Sequence, residues 1–588
     1  MLRFILLGLT GLLLSPGSIH ADADRSATAP EPPGDDRLTA RFQQFLQEYF
    51  RQRPLEATRA GDHQYDDRLD DLSATARANT LKFLQETLNE LEKANAFPNL
   101  SSSGRIDLEI WQHWLRHQLW LDRQTEPFAT NPRLYNEYIS DSVYLLLTQS
   151  TLPKDRNIAN AAKRIAAIPT LVAAARTNLR NPPRIVTEVA MKQNRGAIAF
   201  YEKDIFALTG ETPALSPLTP PCQAAVRALK EYQRFLEEEL LPRSTGEWRL
   251  GREKFATKLS LELDAGMSAA EVIHAAEAEA IRVEHEMAVI ARQLWGTTFP
   301  GVPLPPDDPQ GRRTMIQQVL TALAKDHGTA ATLVADARQT VEQLRRFIHD
   351  KQILTLPEPD RCQIIEMPEF QRGFSVAYLN AAPPLDPAAA SVYAVAPPPK
   401  DWPPERQAAF FREYNRAMLQ ILSIHEAYPG HYVQLEYANR HPSLIRKMFS
   451  NGVFAEGWAV YTEQMMLDQG YGNGDLSLRL HQLKFYLRAV LNAILDHQMH
   501  CSGMSDAEAL SLLMERGFQT EGEAMGKIQR AKLSSCQLSS YFVGRMAFYR
   551  LRQTVQRARG DRFRLADYHA QVLSHGTIPV KYLPLLVR

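Results

Sequence analysis

The chain has 588 residues, 44% of them hydrophobic and 23% charged, which is the composition of a large globular protein with ample length for a core. Its 67 basic and 67 acidic residues cancel, so nothing resembles an electrostatic footprint for nucleic acid. No glycine-rich phosphate loop and no short-period repeat stands out.

The first residues read as a targeting segment. Arg3 gives a short positive region, Phe4 to Leu14 is an apolar run, and Ser15-Pro16-Gly17 breaks it. Ile19-His20-Ala21 or Ala21-Asp22-Ala23 offers a small-residue cleavage site. The run is too short to span a bilayer as a mature helix, so 1–21 is expected to be a signal peptide. An uncleaved membrane anchor is the alternative. No cysteine follows the run, so a lipid-modified cysteine is not indicated. Residues 22–36 read as a flexible leader, with Pro30, Pro32 and Pro33 in it. The expectation is export to a periplasm or beyond, with no stable membrane insertion after cleavage.

Residues 37–350 are helical in period. Leu38 to Tyr49, Ala74 to Leu91, Arg105 to Trp120, Ala159 to Arg180 and Ala224 to Leu241 are amphipathic runs. Ser268-Ala269-Ala270-Glu271 is a capping box that opens a long helix to about Leu294. His113 and His117 lie four apart, a metal-ligand spacing, but Trp111, Trp114 and Trp120 surround them. That environment favours a structural helix face.

Residues 351–588 form the second half, although 37–588 also reads as one continuous domain. Gln363 to Pro368, Phe374 to Tyr378 and Ser391 to Val395 look like short strands, bounded by Pro383-Pro384 and Pro397 to Pro399. A small sheet or hairpin therefore precedes the next helices. Its edge could hold an extended peptide by main-chain hydrogen bonds, or it could simply cover the core. Tyr393, in the third strand, is a candidate for substrate contact or for support of the site.

The chain is organised around Ile424-His425-Glu426-Ala427-Tyr428-Pro429-Gly430-His431. Phe411, Tyr414, Met418, Ile421 and Leu422 form an apolar helical pattern leading into it. In H-E-x-x-H zinc motifs the histidines are four apart and share a helix face. Six residues would leave the imidazoles about 120° apart on a straight helix. Pro429-Gly430 supplies a break, because proline removes a backbone donor and glycine tolerates unusual dihedrals. The stretch reads as helix, kink, and a second helical segment from His431 through Tyr437. His425 and His431 are candidate zinc ligands and Glu426 a candidate general base.

Two histidines leave such a site short of ligands. Glu456 is the best third, a lone carboxylate in an apolar helix from Val453 to Tyr461, expensive to bury unless paired or on a metal. Glu463, seven positions on, could orient a ligand histidine or be a solvated helix charge. Asp496 and His500 are four apart and could support the site, touch substrate, or be a buried pair. Tyr541 and Arg545 could stabilise an oxyanion, or Tyr541 could pack in the core. His569 and His575 could close the site or merely pack. Cys222, Cys362, Cys501 and Cys536 allow three complete disulfide pairings and the sequence chooses none.

HEAYPGHYVQ at 425–434, FAEGWAVYTEQM at 454–465, YFVGRMAFYRLR at 541–552 and DYHAQVLSHGTIPV at 567–580 resemble the bacterial domain-of-unknown-function 885 family. The resemblance spans roughly residues 40 to 588. That family in turn resembles mainly helical zinc peptidases whose third ligand is a glutamate on a following helix. By that likeness His425, His431 and Glu456 match the ligands, Glu426 the base, and Tyr541 a late tyrosine of the family. The two extra residues between the histidines depart from the better-known peptidases, and Tyr432 stands where family members often carry another histidine.

The expectation is a mainly α protein, a large bundle-like set of helices with a central groove and a small sheet near the site helix. Its expected activity is that of an exported zinc metallopeptidase hydrolysing short peptides. The alternatives are an inactive helical protein that binds peptides or a partner, and a metal-dependent hydrolase of non-peptide amides or esters.

Overall fold

In the computed structural model, residues 33–587 are described apart from 211, 213–216, 368–376 and 401. The signal-peptide reading of 1–21 therefore lies outside the described residues. Of the stretch expected to be a flexible leader, residues 22–32 also lie outside the described residues and 33–36 are helical, because a helix runs from Pro33 to Gln52. Its first turn carries Asp35 and Asp36, favourable charges at a helix N-terminus.

The protein is mainly helical with one small sheet. Most helices lie where the apolar period placed them, with ends set by caps. Ala74–Leu91 starts at Ser73, whose side chain accepts from the Ala76 amide. The capping boxes at Ser268 and Ser505 both form. The apolar pattern from Phe411 to Leu422 is two helices rather than one, Pro404–Glu413 and Arg416–Glu426. Asn415 separates them, its side chain accepting from the Met418 amide and restarting the helix.

The apolar side chains form two main cores. One lies under residues 55–240, built on helices Pro132–Thr148, Lys154–Asn178 and Thr219–Arg234. The other joins the helices around residues 38–119 and 255–348 to most of the C-terminal half, while Met367, Val392, Ala394 and Ala396 of the sheet region form a small cluster of their own. Within 352–400 the described residues form a three-stranded sheet rather than a simple hairpin; of the strand expected from Phe374 to Tyr378, residues 374–376 lie outside the described residues. Cys362–Glu366 (β1) and Ala377–Asn380 (β2) flank Ser391–Val395 (β3), parallel and antiparallel to it respectively. Every residue of β3 is buried, and the Tyr393 hydroxyl meets Ser423 Oγ at 3.1 Å. Tyr393 thus pins the sheet to the helix that ends in His425 and Glu426.

Two further helices, Gly452–Asp468 and Ser540–Arg559, cross at a pair of glycines. A Cβ on Gly457 would fall 2.3 Å from the Gly544 Cα, and one on Gly544 2.0 Å from the Val453 carbonyl oxygen. No side chain fits between these backbones. Gly544→Ala is expected to cost about 1–3 kcal/mol by overpacking, read as a lower denaturation midpoint. An unchanged midpoint would mean that the crossing is looser than described. The close crossing sets Tyr541 and Arg545 of one helix against Glu456 and Glu463 of the other.

Candidate metal centre

The break between the two histidines is built from side chains that sequence spacing does not reveal. The first helix ends at Glu426, and the next, His431–Asn439, begins after Gly430. The Gly430 amide donates back to the Ile424 carbonyl at 3.0 Å. A Cβ on Gly430 would lie 1.9 Å from the His425 carbonyl oxygen, so only glycine lets the chain fold back this tightly. Asp360 accepts from the Tyr428 hydroxyl at 2.7 Å and from the Tyr432 hydroxyl at 2.8 Å, clamping both sides of the turn. Trp458 Nε1 donates to the Pro429 carbonyl at 2.8 Å, tying the turn to the Glu456 helix.

The result brings His425, His431 and Glu456 together, all buried, with one potential ligand atom of each within 4.8 Å of the others. Among the described residues this is the one such cluster. Glu456 Oε2 lies 3.6 Å from His425 Nε2 and 3.4 Å from His431 Nε2. A tetrahedral ion with bonds of about 2.0–2.1 Å separates its ligand atoms by about 3.3–3.4 Å. The two edges from Glu456 Oε2 are close to that spacing. Glu456 Oε2 is also buried without a hydrogen bond, an expensive state for a carboxylate oxygen unless a cation meets it. Two imidazole nitrogens and one carboxylate oxygen are a donor set suited to zinc, so the residues fit the ion.

Glu463 is fully buried and its Oε1 accepts from His425 Nδ1 at 2.7 Å. This fixes the tautomer that presents Nε2 to the cluster. Of the two sequence readings for Glu463, a solvated charge is excluded. Burial pushes the Glu463 carboxyl up, and His425 and Arg545 offset part of that rise. Burial works against a charged His425, yet Glu456 and Glu463 outweigh it and push its pKa up to about 10. Burial likewise raises Glu456, but the two imidazoles beside it hold it well below the usual carboxylate range. Without an ion, a proton on imidazole takes the place of positive charge between carboxylates.

Glu426 sits beside the cluster, and its Oε2 accepts from the Leu379 amide of β2 at 3.0 Å. Burial pushes its carboxyl above the usual range, offset by His431 and His425. Tyr541 is close enough to Glu456 to feel its charge, and burial raises its pKa. The Tyr541 hydroxyl accepts from Arg530 Nη2 at 3.1 Å.

Other candidates are placed elsewhere. Arg545 donates to the Tyr486 hydroxyl at 2.7 Å and to Gln464 Oε1 at 2.5 Å, and pairs with Glu279 at 3.5 Å. It stands behind Glu463 as a compensating charge, with both terminal nitrogens of its guanidinium turned to Tyr486, Gln464 and Glu279. The expectation that it faces an oxyanion is corrected accordingly. Asp496 and His500 form a separate buried cluster. His500 Nε2 lies 3.7 Å from Asp496 and 3.0 Å from the carbonyls of Ala531 and Ser534, and the ring packs on Trp248 and Phe255. Neither residue contacts the three clustered side chains, which removes the supporting role. Tyr393 belongs to the sheet contact described above, not to a surface open to substrate.

His569 is structural, held by the Ile353 carbonyl at 2.9 Å and the Tyr461 hydroxyl at 2.8 Å, with burial lowering its pKa to about 3. The His575 carbonyl accepts from Arg446, remote from the cluster. His113 and His117 meet the Leu261 carbonyl and Glu262, in keeping with a structural face. All four cysteines are free thiols.

Sequence reasoning missed Asp360, Arg530, the Leu379 amide and the glycine crossing. Only Gly457 and Gly544, two glycines inside apolar helical runs, carried a signal that could have been read.

Comparison with known proteins agrees with this architecture. The profile described as "Bacterial protein of unknown function (DUF885)" matches residues 54–587. No curated protein matches the chain. A solved structure from Shewanella oneidensis, described as a "putative lipoprotein of unknown function", is 31% identical, with a TM-score of 0.79 over 94% of this chain and 99% of its own. A "putative lipoprotein" from Colwellia psychrerythraea is 17% identical with a TM-score of 0.76, over 94% and 98% of the two chains, and shares the fold. The chain belongs to this bacterial family of unknown function.

Proposed function

We propose that this member of the family is an exported zinc metallopeptidase acting on short peptides. The observation that carries the reading is one buried carboxylate oxygen without a hydrogen bond, 3.4 and 3.6 Å from two imidazole nitrogens in a cluster no wider than 4.8 Å, with Glu426 beside them.

His425, His431 and Glu456 would hold the ion through Nε2, Nε2 and a carboxylate oxygen. When bound, zinc supplies Lewis acidity and brings the pKa of water toward neutrality. Glu426 is the proton carrier. It is held at one oxygen by the Leu379 amide, and its raised pKa suits a group that accepts a proton from water and returns it to the leaving amine. Tyr541, backed by Arg530, donates its hydroxyl proton toward the carbonyl oxygen as negative charge grows there. Glu463 and Arg545 keep His425 oriented and its partner charge balanced. β2 lies beside Glu426 and has no strand on its other side among the described residues, so its edge is suited to align an extended peptide.

Export is supported by the basic-then-apolar N-terminus and by two structural relatives described as lipoproteins.

The test is digestion of a mixed short-peptide library by purified protein. Cleavage that a chelator abolishes and zinc restores is the expected outcome. Intact peptides at every zinc level would overturn the peptidase reading.

A further inference from the structure

The helix Glu521–Leu533 runs beside the candidate centre and carries Lys527, Arg530 and Lys532 after an acidic first turn. Lys527 and Arg530 lie three apart and share a side of that helix. Arg530 reaches the Tyr541 hydroxyl and, at 2.6 Å, Gln537 Oε1. Both Lys527 and Arg530 are close enough to Glu456 to feel its charge. Across from them, on helix Leu476–Cys501, Arg488 stacks near Phe485, 5.5 Å from the ring, and that ring lies 5.9 Å from the His425 ring.

The nearby carboxylates are already engaged. Glu523 accepts from Arg488 Nη2 and from the Tyr414 hydroxyl, both at 2.5 Å. Glu413 takes Lys484 at 3.0 Å with Arg488 at 3.5 Å. Lys527 makes no hydrogen bond and no ion pair among the described residues. Its ammonium is pushed well below the usual lysine range, first by burial and then by Arg530 and Arg488. Burial and the guanidiniums of Arg530 and Arg488 weigh against its charge more than Glu523 and Glu456 favour it, and an incoming anion would relieve that cost.

We infer that Lys527, with Arg530 and Arg488 around it, binds a carboxylate of the substrate and so selects peptides that present one close to the scissile bond. This inference rests on the peptidase reading. Within that reading the anion every unmodified peptide carries is its C-terminal carboxylate; an aspartate or glutamate side chain carries the same group.

The experiment compares three matched peptide sets: free C-terminal acids, C-terminal amides, and amides with an acidic residue near that end. Wild-type protein is expected to favour free acids over amides by about tenfold or more in kcat/KM, mostly through KM, as a charge-assisted contact implies. In Lys527→Met that ratio should fall toward unity, and Lys527→Arg should restore most of it. A ratio measured on one preparation cancels any difference in folded fraction. Preference for acidic amides over free acids would assign the site to a side chain rather than the chain end. Equal cleavage of acids and amides by wild type, or a ratio untouched by Lys527→Met, would overturn the carboxylate site and leave the peptidase reading intact. No cleavage of any set would remove both. As a readout independent of turnover, Glu426→Gln protein should bind free-acid peptides more tightly than amides in calorimetry, and equal binding would count against the site.

Discussion

Glu426→Gln is expected to keep its metal and lose turnover by about a hundred- to ten-thousand-fold, the range that positioned proton transfer supplies. The substitution keeps the shape and a polar group for the Leu379 amide, so β2 and the turn after the helix should stay in place. What it removes is a carboxylate able to carry a proton at the edge of the cluster. Glu426 contributes no atom to the three-residue cluster, so metal content should be that of wild type. Peptide hydrolysis and metal content measured on one preparation check both halves. A variant that cleaves as fast as wild type would mean another group moves the proton.

Glu456→Ala is expected to abolish stable metal binding, a loss of more than about a hundredfold in affinity, whereas Glu463→Gln should weaken it about ten- to a hundredfold as partners behind a ligand do. The two carboxylates differ in what they touch. Glu456 offers a bare oxygen between the two imidazoles, while Glu463 reaches only the far nitrogen of His425. Competition with a chromophoric chelator gives both affinities. Reversal of the order, with Glu463 mattering more than Glu456, would show that the ion is held by a different set. Glu456→Ala also takes away a buried negative charge whose partner in the metal-free site is protonated His425, so that variant should shift His425 toward its neutral form.

The parts of this site that were legible in the sequence are those whose meaning is local. His425, Glu426 and His431 fall within seven consecutive residues, and Pro429-Gly430 announced the break that lets the imidazoles converge. Glu456 was legible because a lone carboxylate in an apolar helix needs a partner. Glu463 was half legible: spacing put it on the Glu456 face, but spacing alone does not separate a buried partner from a solvated charge. Arg545, Asp496 and His500 show the limit. Helical period says which residues share a face, not which neighbour that face meets. Arg545 turned to Tyr486 and Gln464, and the Asp496 pair lies about three turns along its helix from Phe485, where it meets the chain around Ala531. Asp360 was invisible because it precedes Tyr428 by 68 residues and carries no motif of its own. The fold followed the same rule. Long helices were readable from apolar period, while the β1–β3 parallel pairing depends on a crossover that no local pattern records.

The central claim is that one divalent ion is shared by His425, His431 and Glu456. Zinc-edge anomalous scattering from crystals of the protein grown with zinc tests it most directly. A single peak about 2 Å from both Nε2 atoms and from a Glu456 carboxylate oxygen is the expected result. No density between the three side chains at saturating zinc, or a peak at other residues, would contradict it.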